Sequence, residues 1–312
     1  MKIKNKSNKK ENKGRGPLAR KVIASAQQQL QRKIVDLGDW KEGRLRSEEY
    51  LKSIVSEARL SELDPLHALY VHSQNHLSVL IENISELPML DKLTDKYAAS
   101  SEEYMPSGPP MSPLTTSYFT CWGAFDLCSS GAKKETFCTV VTDFCKHINV
   151  DSGQIEVFEA LQNSYMGIYK HEGVSEGYIQ FRELLTNKKI KAICASGYMG
   201  LEGEIWFARI LPPLFNVFNY SVVFTTPYIL GKLGVGRSFV PEVEADWLQY
   251  FERNLGKKRV KDIEGAYKEL MKYGLGKNYW NEYVFLSYRN HRHDMILLEG
   301  FPDIPSSMPH AQ

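Results

Sequence analysis

The side chains of this chain that could do metal or acid–base chemistry are eight histidines, five cysteines and a few closely spaced carboxylates. His72 and His76 stand four apart in a helical pattern, which puts both imidazoles on one face at the spacing zinc sites use. No Glu follows His72, so this is not HExxH, and a catalytic zinc would need a third ligand. A polar flank beside the Leu69/Tyr70 stripe is the simpler reading. His291-Arg292-His293-Asp294 has the residue types of a two-metal hydrolase. Its Asp follows the second His directly, and several more ligands would be required, so a solvated turn before Met295 is favoured.

Gly231, Gly234 and Gly236 are spaced neither as GxGxxG nor as a Walker loop and read as a flexible turn. Ser196, between Ala195 and Gly197, lacks the GxSxG elbow. Glu202 and Glu204 fall in a turn between strands, where carboxylates are normally solvated. Cys121, Cys128, Cys138, Cys145 and Cys194 are an odd count with no CxxC, which fits reduced, buried thiols of a cytoplasmic protein. No catalytic residue, metal or cofactor is expected on these grounds. A metal-dependent hydrolase built on His72/His76 or His291/His293 is the least supported function.

Charge points elsewhere. Residues 1–21 hold nine Lys/Arg against one Glu, while the rest of the chain holds 30 basic and 36 acidic residues. The basic leader, with Lys2, Lys4, Lys6, Lys9, Lys10, Lys13 and Arg15, therefore joins a mildly acidic body. Such an arm suits a polyanion such as nucleic acid or a ribonucleoprotein. A second basic set, Lys170, Arg182, Lys188, Lys189 and Lys191, is interleaved with Tyr169 and Tyr178. Aromatics beside a basic groove are how small barrels hold nucleic acid.

The elements that must position these residues follow from periodicity. Residues 1–16 have only Met1 and Ile3 as sizeable apolar groups and read as a disordered tail. A helical segment is expected over 17–97. Its first helix runs from Leu18 to Leu37 and stops before Gly38, a second is capped by Ser47, and a third opens at Asp64-Pro65. Residues 98–116, rich in Ser and Pro, read as a linker. Helices from about Glu135 and from Asp151-Ser152 precede the β region. Ile179 and Phe181 alternate with Gln180 and Arg182, and Ile190, Ala192 and Cys194 alternate with Lys189 and Lys191. Ile205–Leu211 is nearly all apolar and ends at Pro212-Pro213, and Tyr220, Val222 and Phe224 share a face of a last strand.

The expected fold is thus α+β: an N-terminal helical segment, then a 117–312 domain with a small antiparallel β-barrel-like unit flanked by helices. An open curled sheet is the rival. No run of eighteen apolar residues suggests a membrane span.

Residues 117–215 resemble an uncharacterised bacterial region often found in proteins that carry a SEC-C metal-binding motif. The resemblance rests on Trp122 with Phe125-Asp126, then LQNSYMGIYKHEG, IQFRELLTNKKIKAI and GEIWFARILPP. It implies helices before a small β unit and an accessory or binding role. Asn187 stands where that pattern favours glycine, and no cysteine-rich SEC-C segment is present, so its metal site does not carry over. The leading functional expectation is a non-catalytic binding protein that contacts nucleic acid or a ribonucleoprotein through the leader and the barrel face. The alternative is a protein–protein adaptor using helices 18–87.

Overall fold

The computed structural model describes residues 14–31, 37–104, 113–131, 133–233, 235, 239–256, 262–273, 287–289 and 295–297. The chain divides into two compact units, Met1–Pro106 with Gly123–Gln162, and Ser107–Trp122 with Asn163–Gln312.

The helices of the first part are α1 (Pro17–Leu30), α2 (Leu37–Ser53), α3 (Glu57–Leu60), α4 (Pro65–Ser85), α5 (Asp91–Tyr104), α6 (Pro113–Phe125), α7 (Phe137–His147) and α8 (Ser152–Asn163). Local chemistry starts several of them. Asp64 accepts from Leu66 N and His67 N at 2.9 and 3.2 Å, Thr136 and Thr139 form a capping box, and Asp151 accepts from Gly153 N at 2.8 Å. The start of α1 is held from a distance. The buried Glu135 carboxylate accepts from Leu18 N and Ala19 N, both at 3.0 Å, so a residue far along the chain satisfies two helix-end donors. Ala19, Val22 and Ile23 are buried, and α1 packs on α7.

Three expectations are corrected here. Gly38 does not stop a helix but lies inside α2, where Glu42–Arg46 and Arg44–Glu48 pairs at 2.9 Å support the turns around Gly43. The 98–116 linker shrinks, because 98–104 complete α5 and Pro113 opens α6, leaving 105–112 outside the described residues. Helices α7 and α8 group with the N-terminal helices rather than with the β region.

In the second unit, β1 (Met166–Ser175), β2 (Tyr178–Glu183), β3 (Lys189–Cys194), β4 (Ile205–Leu211) and β5 (Ser221–Val223) close into a five-stranded barrel. The order around it is β1-β2-β3-β5-β4 and back to β1. The β3–β5 pairing is parallel and the other four are antiparallel. That is the strand order of the five-stranded Greek-key barrel called the OB fold. β1 pairs with β4 over residues 166–170 and with β2 over residues 169–175, the latter pairing interrupted by a bulge between His171 and Val174. A Glu176-Gly177 turn with both φ positive sets the β1–β2 register, and Asn187 takes the same left-handed conformation in the next turn. Tyr169, Ile179, Phe181, Ala192, Trp206, Ala208, Val223 and Ile229 fill the interior.

Further strands extend the sheet. β6 (Tyr228–Leu233), which contains Gly231 rather than leaving it in a turn, pairs with β4, with β7 (Phe239–Pro241) and with β8 (Ser287–Arg289), and β8 pairs with β9 (Met295–Leu297). Helices α9 (Glu244–Leu255) and α10 (Ile263–Tyr273) follow β7. Tyr267 of α10 accepts from Ile168 N at 2.9 Å and meets Phe251 of α9 edge-on at 5.2 Å. Among the described residues no helix is long and apolar enough to cross a membrane.

Candidate functional site

Strand alternation decides what the barrel shows to solvent. β2 buries Ile179, Phe181 and Glu183 and turns Tyr178, Gln180 and Arg182 outward. β3 buries Ala192 and turns Lys189, Lys191 and Ile193 outward. The parallel β3–β5 register, Ala192 opposite Ser221, then carries Tyr220 alongside Lys191.

The result is a ladder across three strands. Tyr178 and Tyr220 lie 5.2 Å apart between ring centroids, and Phe218 meets Tyr220 edge-on at 5.8 Å. Lys191 Nζ sits 4.0 Å over the Tyr178 ring and 3.9 Å from the Glu176 carboxylate. All four of these ladder side chains are half-buried. Lys188 and Lys189 are exposed at the turn between β2 and β3.

The other end of the same outer face is an ion-pair network. Arg182 makes a bidentate contact to Glu244, Nη1 to Oε1 and Nη2 to Oε2, both at 3.0 Å. Its Nε donates to Glu172 at 2.7 Å and Nη1 also donates to Asn187 Oδ1 at 3.1 Å. Lys170 Nζ donates to Glu244 Oε2 at 3.2 Å. These bonds hold the Glu244 carboxyl below the usual range, with Arg182 the largest cause, and raise the Arg182 guanidinium. An open depression of about 740 Å³ adjoins it, lined by Lys170, His171, Glu172, Glu202 and Gly203.

The barrel interior is closed at both ends by polar knots. At one end buried Glu204 accepts from Trp206 Nε1 at 2.9 Å, Tyr198 hydroxyl at 3.0 Å and Leu201 N at 3.1 Å. Glu204 was expected to be solvated, but the 195–204 loop folds back over Trp206 and supplies donors that need an acceptor. Buried His171 accepts at Nδ1 from Gly173 N (3.1 Å), so Nε2 carries the proton donated to Met199 O (2.8 Å). At the other end buried Glu183 accepts from the Tyr165 hydroxyl at 3.0 Å and from the Thr186 hydroxyl. Burial raises the Glu183 carboxyl and likewise the phenols of Tyr165, Tyr169 and Tyr267. These contacts tie loops to the barrel.

The residues singled out in the sequence are thus sorted. Lys191 lies on the ladder, whereas Lys189, opposite Arg182 in the β2–β3 register, and Lys188 in the adjoining turn lie at the ion-pair end of the face. Arg182 and Lys170 share the outer face but are engaged with carboxylates. Tyr169 is inside the barrel and only 3 % exposed, so it cannot serve the outer face. Arg15 is half-buried in the helical unit, its Nη1 3.5 Å from His147 Nδ1. Lys2, Lys4, Lys6, Lys9, Lys10 and Lys13 lie outside the described residues, as do His291, His293 and Asp294. His72 and His76 do adjoin on α4, ring centroids 4.5 Å apart and edge-on, and burial with the neighbouring His72 lowers His76. Among the described residues no group of three His, Cys, Asp or Glu is placed to hold a metal. Ser196 contacts Cys194 Sγ at 3.2 Å and accepts from Tyr198 N, a loop-tying role. Sequence reading missed Phe218 and took Tyr220 for part of a strand face. The available signal was the turn chemistry of Asn216 and Asn219, and β5 begins only after Tyr220, at Ser221.

No protein family, curated protein or solved structure was found to match this chain.

Proposed function

We propose that this protein is a non-catalytic binding module that holds single-stranded nucleic acid on the outer face of β2, β3 and β5. The observation that carries this reading is the Phe218–Tyr220–Tyr178 ladder with Lys191 over it. Every base offers a π-face, and stacking on an aromatic side chain contributes ~1–3 kcal/mol per base without regard to sequence. Barrels of this strand order use the β2–β3 face and its flanking loops for oligonucleotides and oligosaccharides. That likeness of fold supports a binding role and leaves the ligand to be argued from the site. Lys188, Lys189 and Lys191 favour a polyanion over a neutral sugar, and the basic leader carries further positive charge. Stacking needs unpaired bases, so single strands are preferred to duplex.

Fluorescence anisotropy across a salt series tests this, with labelled oligouridylate and oligothymidylate of about twelve nucleotides, the matching duplex, and neutral dextran. The expected result is tighter binding of single strands than of duplex, with log K falling linearly against log salt. Equal affinity for dextran, or no salt dependence, overturns the reading. Deleting residues 1–16 is expected to weaken binding to all sequences alike without abolishing it.

A further inference from the structure

We infer that Lys170 and Arg182 form a phosphate-binding subsite, which the Glu244 carboxylate occupies in the free protein. The inference rests on the nucleic-acid reading above and concerns the half of the face that reading leaves unused. Lys170 and Arg182 are register partners on β1 and β2, so their cationic ends emerge side by side. They converge on one carboxylate, with Arg182 in the two-pronged geometry that fits carboxylate and phosphate alike.

The fork is built to outlast its present occupant. Glu172 holds Nε and Asn187 holds Nη1, so the guanidinium stays oriented when Glu244 leaves. Glu244 is the first residue of α9 and is half-buried. The helix itself is anchored by buried Trp247 and Phe251. One side chain can therefore swing away with the helix in place. The depression lined by Lys170 and Glu172 gives a phosphodiester an open approach. Both pairs keep part of their surface in solvent, so a competing anion can reach the two cations.

Position links the subsite to the ladder. Tyr178 and Arg182 are four residues apart on the same face of β2, about 13 Å along the strand. At ~3.4 Å per stacked nucleotide, a strand of about four nucleotides bridges them. Glu244 thus acts as an intramolecular phosphate mimic that a bound strand displaces.

The test compares wild-type protein with Glu244→Gln, using the labelled single-stranded oligothymidylate across a salt series. Removing the mimic is expected to tighten binding about tenfold and to steepen the log–log salt slope by about 0.7, the increment for one more phosphate on a single strand. Adding Arg182→Gln to that variant is expected to remove both gains. Should the Gln variant lose its fold by near-ultraviolet circular dichroism, Glu244→Asp, whose shorter side chain retracts from the fork, makes the same comparison. If wild type binds and needs Tyr178 and Tyr220, yet the Glu244 variant matches it in affinity and slope, the subsite is overturned and the ladder stands. If neither protein binds single strands with a salt dependence, the ladder reading falls and the subsite with it.

Discussion

Replacing Tyr178 by Ala isolates the stacking contribution of the ladder. In the free protein the ring touches Tyr220 at 5.2 Å and lies under Lys191 Nζ at 4.0 Å. The aromatic pair contributes ~0.5–1.5 kcal/mol and the cation–π contact ~0.5–1 kcal/mol at a partly exposed site. The substitution should therefore cost about 1–2.5 kcal/mol of stability, small enough to leave the barrel folded because Ile179 and Phe181 still fill its core. For a bound strand the loss is one stacking platform, ~1–3 kcal/mol, which at ~1.4 kcal/mol per decade weakens binding by about 5- to 150-fold. No charge is removed, so the salt slope should not change. Tyr178→Phe keeps the ring and should bind within about twofold of wild type, since sequence-tolerant stacking does not use the hydroxyl. Lys191→Ala should show the opposite pattern, a slope shallower by about 0.7 with a smaller loss of affinity. Anisotropy on the folded variants reads all three. If folded Tyr178→Ala binds within about twofold of wild type, or changes the slope instead of the intercept, stacking is not how this face works.

Three further substitutions probe how the elements are held. Glu135→Ala leaves Leu18 N and Ala19 N without their acceptor, the latter in a buried setting, at a cost of about 2–4 kcal/mol; hydrogen exchange of the 18–30 amides should quicken about 30-fold or more, and unaltered exchange would refute the distant cap. Gly200→Ala forces φ of +70° on a side chain whose Cβ would lie 2.3 Å from Trp206, so unfolding in denaturant should show a loss of about 2–4 kcal/mol; a neutral result would mean the 195–204 loop is not packed on Trp206. For Glu183, burial raises the folded carboxyl above its unfolded value, so the folded state takes up the proton more readily and stability falls as pH rises through the folded pKa. Wild type should therefore gain stability relative to Glu183→Gln as pH is lowered from neutral into the carboxylate range. A difference that does not move with pH would contradict the buried carboxylate.

What the sequence disclosed was what short-range chemistry controls. Asp64-Pro65 and Asp151-Ser152 mark helix starts because the capping oxygen is two or three residues from its donors. The alternation of Ile179 and Phe181 with Gln180 and Arg182 reveals a half-buried strand because the period is local. The closed β unit itself was legible from this pattern, although the parallel β3–β5 contact was not. That contact joins segments about thirty residues apart, and no local period records it. The site inherits the same limit. Tyr220 meets Tyr178 only through the β3–β5 register, and Arg182 meets Glu244 across 62 residues. Gly38 misled in the other direction: a helix breaker by composition, it is carried inside α2 by its context.

The claim that the outer β2–β3–β5 face binds single strands is tested most directly by locating where a strand touches. The full-length protein would be bound to an oligouridylate containing 4-thiouridine, irradiated, digested, and its adducts mapped by mass spectrometry. The account predicts adducts on Phe218, Tyr220, Tyr178 and Lys191. Adducts confined to residues 1–16, or to the α4 face that carries His72 and His76, would contradict it.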